Sequence, residues 1–171
     1  MPGPRRLQFY QADVFTDQPF GGNPVAVFPD ADGLTDVELQ QIAREMNLSE
    51  TVFVFPPTDK AAVVKMRIFT PTQEIPFAGH PVIGTFFVLA TLDRLALREP
   101  VTRVLQECNL GLFPVDIHTC NGVIAVSYTH LRAQETVLDL VCRPLLEKKK
   151  TSSQNMKKEK YTTRHTTFNS Q

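Results

Sequence analysis

The order of apolar and polar positions changes period several times along the first 125 residues, and each change predicts an element. Residues 7–15 are rich in aromatic and aliphatic side chains and read as a strand. The cluster Gln18-Pro19-Phe20-Gly21-Gly22-Asn23-Pro24 breaks it before a second short strand at 25–28, so a hairpin-like pair is expected. A helix follows to about Met46: Thr35 stands at its N-cap with Glu38 three residues on as a capping box, and Leu34 is placed to staple against Leu39. Val37, Ile42, Ala43 and Met46 form its expected apolar stripe, while Asp36, Gln40, Gln41, Arg44 and Glu45 face water, so this helix should lie on a surface. Strands are predicted next at 51–55 and 62–69.

The second helix, 81–92, differs in kind. It is apolar on almost every face, and such a helix has to be wrapped by other structure. Pro81 suits the first helical position, which puts Gly79 and His80 at the helix mouth. Three more strands are read at 101–107, 112–118 and 122–127, with Asn109 and Gly111, then Asn121-Gly122, as turn signals. About seven strands with one buried helix predict an α+β fold in which a curled, barrel-like sheet surrounds that helix, rather than alternating βαβ units.

Composition changes this picture mainly at the C-terminal end. With 42% apolar and 21% charged residues, the chain has the balance of a packed globular protein. Its zero net charge conceals an asymmetry: residues 1–125 carry nine Lys and Arg against fourteen Asp and Glu, and residues 126–171 carry nine against four. A whole-chain argument for nucleic acid is therefore excluded. From Val126 the periodicity fails, and the run Val126-Ser127-Tyr128-Thr129-His130-Leu131-Arg132-Ala133-Gln134-Glu135-Thr136 resembles a translated sequencing-library adapter. Leu140 to Lys150 fits the adapter's other end read into a poly-A stretch, and the Lys/Ser/Thr-rich remainder has no core-forming pattern. Residues 1–125 are thus expected to be the domain, and 126–171 an artefactual or disordered tail excluded from fold reasoning. A real amphipathic segment at 131–146 and a basic nucleic-acid tail are the rival readings of that segment.

No apolar run approaches the ~20 residues of a membrane helix, and the start leads into a strand rather than a signal-peptide core, so a cytoplasmic protein without membrane contact is expected. Cys108, Cys120 and Cys142 are odd in number and lack a C-x-x-C pair, which argues for buried free thiols over a disulfide framework or zinc site. His80, His118, His130 and His165 show no metal-ligand spacing, and dinucleotide, Walker A and G-x-S-x-G motifs are absent from the sequence. Proton chemistry without a cofactor or metal is what remains.

Two segments carry polar groups that packing does not require. In Asn47-Leu48-Ser49-Glu50-Thr51, between a helix and a strand, Glu50 sits beside Leu48, Val52 and Phe53. Apolar neighbours raise a carboxyl pKa toward neutrality, where the group both takes and returns a proton. Taken alone, Glu50 also reads as an exposed loop glutamate or the partner of an Arg. In Phe69 through Pro81, Gly79 permits close backbone approach and the helix N-terminus offers unpaired N–H groups to an anion. His80 there is a proton shuttle or a donor to a substrate oxygen, or else a capping or core histidine. Glu74 reads as a surface charge; Phe86, Phe87 and Phe113 read as core.

Together these stretches resemble the PhzF-like family, the phenazine-biosynthesis-type isomerases related in fold to diaminopimelate epimerase. The matching segments are Asp13-Val14-Phe15-Thr16, Pro19 through Val27, Ile42 through Thr51, and Arg67 through Thr85, with Gln106-Glu107-Cys108-Asn109 and Pro114-Val115 near the end. The resemblance implies a diaminopimelate epimerase-like fold and, in the family, a second similar domain with the active site in the cleft between the two. It implies that Glu50 is the proton-transferring residue and that Gly79 and His80 line the substrate site. The implied activity is a cofactor-independent isomerisation that moves a proton next to a carboxylate on a small cyclic acid. It further implies a homodimer at full length and an inactive chain at this length, because the second domain has no counterpart here. The competing expectation is a non-catalytic, single-domain binding protein of the same fold.

Overall fold

A computed structural model of the chain describes residues 6–18 and 20–128 and, for the backbone alone, 166–169. Strand β1 (Arg6–Val14) pairs antiparallel with β2 (Asn23–Phe28), as the hairpin-like pattern predicts, with Val14 opposite Asn23. Helix α1 (Asp36–Met46) carries the connection to β3 (Glu50–Phe55), which runs parallel to β2 with Val25 opposite Glu50. β4 (Val64–Phe69) returns antiparallel to β3 and also holds the two-residue β5 (Glu74–Ile75). After α2 (Gly79–Thr91), β6 (Val101–Cys108) joins β4 in parallel, and β7 (Gly111–Cys120) and β8 (Val123–Tyr128) follow as antiparallel neighbours. The turn between β7 and β8 is the two-residue Asn121-Gly122, both at positive φ (49° and 76°), the twist a tight hairpin needs.

The strand order is β8-β7-β6-β4-β3-β2-β1-β9, with β5 to the side on β4. This α+β sheet is curled without closing. α2 packs against β8 near one end of that order and against β1, β2 and β3 toward the other, which is possible only if the sheet wraps around the helix. Nine of the thirteen α2 residues are buried, in keeping with a helix apolar on every face. Alternation along the strands divides the core into two layers. Tyr10, Val14, Val25, Val27, Val52, Val54, Met66 and Ile68 face α2, and Phe9, Ala26, Phe28, Phe53 and Phe69 face the opposite side, under α1.

Several local expectations are corrected. In α1 the buried positions are Leu39 and Ala43, and Val37 is exposed, because the second residue of the helix projects away from the sheet. α2 begins at Gly79, two residues earlier than read, so Pro81 is its third residue and still one of the positions whose N–H lacks an intrahelical partner. Glu74 is not an open surface charge. It accepts from Arg67 Nε (2.8 Å) and Nη2 (2.6 Å) and from the amide nitrogen of Asn109 (2.9 Å), and Arg67 holds its carboxyl below the usual range. Cys108 is buried as expected, whereas Cys120, in the last residue of β7, is exposed; Cys142 lies outside the described residues.

β8 continues through Val126, Ser127 and Tyr128, all buried, so the strand crosses the expected boundary at residue 125. Farther on, residues 129–165, which hold most of the adapter-like run and the segment at 131–146, lie outside the described residues. The backbone of β9 (Thr166–Asn169) pairs antiparallel with β1, Arg6 opposite Asn169. Phe86 is fully buried, and Phe87 and Phe113 pack against the α2-facing layer, as core residues should. Among the described residues no helix is long and apolar enough to cross a membrane.

Candidate active site

The site is assembled where three chain segments end against the first turn of α2. Glu50 is the first residue of β3, and by alternation it shares a face with Val52 and Val54, the face that looks at α2. His80 is the second residue of α2. The two side chains, 18% and 10% exposed, meet with Glu50 Oε2 3.2 Å from His80 Nε2. Both atoms are shielded from solvent, and neither has a hydrogen-bond partner among the described residues. Burial acts on the imidazole more strongly than the attraction of Glu50 and holds the His80 pKa below its ordinary value.

Close backbone packing sets this geometry. A Cβ on Gly84 would stand 2.5 Å from Val25 Cγ1 and 3.0 Å from Val14 Cγ2, so only glycine lets α2 lie this near β1 and β2. A Cβ on Gly22 would stand 2.3 Å from the Val14 carbonyl oxygen, so the β1–β2 connection closes tightly just before Asn23. These two contacts bring Asn23, at the head of β2, within reach of His80 one turn ahead of Gly84.

Asn23 and Ser49 are the site residues that the sequence alone did not single out. Ser49 Oγ donates to Asn23 Oδ1 (3.4 Å), and Asn23 Nδ2 donates to His80 Nδ1 (3.2 Å). Ser49-Asn23-His80-Glu50 is therefore one connected row. Asn23 stood in a Gly/Pro-rich break and in a family-matching stretch, but nothing there assigned it a role, since its partners are 26 and 57 residues away.

Gly79 differs from Gly22 and Gly84. A Cβ there would meet nothing within 4 Å, and its φ lies outside the left-handed region, so the fold itself does not call for glycine. α2 also lacks a side-chain cap and has no acidic residue in its first turn. In α1, by contrast, the Thr35 hydroxyl and the Glu38 carboxylate satisfy the N-terminus reciprocally, and Asp36 adds a negative charge. The N-terminus of α2, which holds His80 in contact with Glu50, thus carries no side-chain cap, an arrangement suited to an anionic group.

Residues 12–168 match the model of the phenazine biosynthesis-like proteins. The chain belongs to this family. It is 56% identical over 98 residues to an uncharacterised isomerase of Pasteurella multocida, a match covering 57% of the chain and 32% of that protein. It is 43% identical over 116 residues to the trans-2,3-dihydro-3-hydroxyanthranilate isomerase of Pseudomonas chlororaphis, covering 67% and 39%. Among solved structures, a PhzF-family protein of Bacillus anthracis superposes with a TM-score of 0.65 at 32% identity, over 72% of the chain and 40% of that protein. A hydroxyproline epimerase of Agrobacterium vitis shares the fold at 17% identity and a TM-score of 0.58, over 72% of the chain and 41% of that protein. The sequence's resemblance to a PhzF-like isomerase and to the epimerase-like fold is borne out. The chain spans about a third of the length of the curated relatives it matches.

Proposed function

We propose that Glu50 transfers the proton in a cofactor-independent isomerisation, moving it next to the carboxylate of a small cyclic acid of the dihydro-hydroxyanthranilate kind. The observation that carries this is the Glu50–His80 pair: Glu50 Oε2 and His80 Nε2 are shielded atoms 3.2 Å apart that have no hydrogen-bond partner among the described residues, at the uncapped end of a buried helix. A carboxylate so placed can remove a proton from carbon and return it at another position. His80 and the first-turn N–H groups would hold the substrate's oxygen atoms and stabilise the charge that develops, and Gly79 leaves room for the substrate to approach the backbone.

These residues make one wall of a site. The opposite wall belongs to the two thirds of the relatives' length that the chain does not span, and the chain at its present length is accordingly proposed to be inactive. The partner is a small acid rather than nucleic acid or membrane, the protein works in the cytoplasm, and a homodimer is the proposed assembly at full length. The test is turnover of trans-2,3-dihydro-3-hydroxyanthranilate by the protein at the full length of its relatives. Glu50→Gln should abolish turnover while substrate still binds. A full-length protein that binds this acid without converting it would instead be a binding protein of the same fold.

A further inference from the structure

We propose that Asn23, held by Ser49, is a positioning residue that fixes His80 as the neutral tautomer protonated on Nε2, leaving Glu50 as the single group of this wall that carries the moving proton. This rests on the reading of Glu50 and His80 as a proton-transfer site.

An imidazole nitrogen that accepts a hydrogen bond cannot carry a proton at the same time, so the bond made by one ring nitrogen decides the state of the other. An Asn side chain presents an acceptor oxygen and a donor nitrogen, and the structure places the Asn23 oxygen toward Ser49 and the nitrogen, which only donates, toward His80. With Ser49 donating to Oδ1, the amide nitrogen of Asn23 faces His80 Nδ1 as a donor. Nδ1 is then the acceptor, and the ring proton stays on Nε2. A second proton would have to enter at Nδ1, against an amide N–H, in a ring that is already desolvated. Among the described residues, Glu50 of β3 is the carboxylate within ion-pair distance of the ring, and Asn23 of β2 and Ser49 are neutral. The first turn of α2 contributes no acidic side chain.

The chemical consequence is a division of labour. A neutral Nε2–H donates a hydrogen bond to a substrate oxygen but has no proton ready to surrender near neutral pH. Glu50 takes the proton from one carbon and returns it to another on the same face of the substrate, and His80 ends each turnover as it began. Asn23 thereby acts through His80 without touching the reacting atoms.

The test uses the chain at its present length and needs no turnover. Long-range proton–nitrogen correlation spectra of the 15N-labelled chain report the tautomer and titration of each histidine, with His80 assigned by the signals lost in His80→Gln. The expected result is the Nε2–H pattern for His80, with a pKa below that of an exposed histidine. Asn23→Asp replaces the donor by an acceptor and should protonate Nδ1 and raise the His80 pKa by more than one unit. Asn23→Leu, which offers neither group, should release an Nδ1–H population. Asn23 is exposed, so both variants should keep the amide dispersion of the parent. An Nδ1–H pattern in the parent chain, or a tautomer and pKa indifferent to both substitutions, would overturn the proposal. If full-length Glu50→Gln kept its turnover, the proton-transfer reading would fail while these spectra stood unchanged.

Discussion

Two residues far apart in kind, Glu107 and Gly79, show how the surroundings of a single position separate stability from chemistry. Glu107 is 11% exposed and is held by the Thr58 hydroxyl and backbone N–H, the Asp59 N–H (3.0 Å) and Lys65 Nζ (3.1 Å). Hydrogen bonds from Thr58 and Asp59 depress its pKa to about 2. A depressed carboxyl contributes stability that is fully present above the unfolded value and is lost as pH falls through the folded one. Urea titrations should therefore show Glu107→Gln less stable than the parent above about pH 4.5, with the gap closing as the pH approaches 2. Gly79 behaves oppositely. Since a Cβ there meets nothing, Gly79→Ala should keep or raise stability, by up to about 1 kcal/mol, because alanine is the better helix former. The same change at full length should weaken substrate binding, as seen in a raised KM or a lost calorimetric signal, since the methyl group would occupy space that the proposed function gives to the substrate. Equal binding by Gly79→Ala would remove Gly79 from the site.

At the scale of elements, the central helix is the part on which site geometry depends most. Gly84 sets its distance from β1 and β2, and His80 rides one turn away on the same helix. Gly84→Ala should cost about 1–3 kcal/mol through overpacking and should also disturb the His80 ring environment. Thermal unfolding and the His80 titration read the two effects in one variant; an unchanged His80 signal would show that the helix position and the site are uncoupled. Elements of this kind were legible in the sequence because each carried its own signal. The capping box at Thr35 and Glu38, the uninterrupted apolar run of α2 and the Asn121-Gly122 turn depend on residues close together in the chain. β5 was not legible, since two residues are too few to show a period, and neither was β9, which lies in a segment without an apolar pattern. The exposure of Val37 was missed because the helix contacts the sheet through Leu39, Ile42, Ala43 and Met46, a face that only the docked helix defines.

For the whole molecule, the curled sheet explains why the site stands at the N-terminal end of α2. Wrapping the helix consumes its apolar surface and leaves the first turn, with its unpaired N–H groups, as the polar end of the layer. Glu50 reaches that end because β3 presents alternate residues to the helix and Glu50 is the first of them, beyond Val52. Glu50, Gly79 and His80 were readable from junction chemistry and family resemblance. Asn23 and Ser49 depended on strand register, which places the head of β2 beside the start of β3 and cannot be read from either segment alone. The fold of the domain was thus accessible from sequence, and so were the residues proposed for its chemistry, whereas the contacts that bring Asn23 and Ser49 to them were not. The most direct measurement is solvent deuterium incorporation by the protein at the full length of its relatives, acting on trans-2,3-dihydro-3-hydroxyanthranilate in D2O and followed by NMR. Deuterium at the carbon that receives the proton in the parent protein, and none in Glu50→Gln at matched substrate saturation, is the predicted result. Incorporation that persists in Glu50→Gln would show that another group moves the proton and would contradict the assignment of this site.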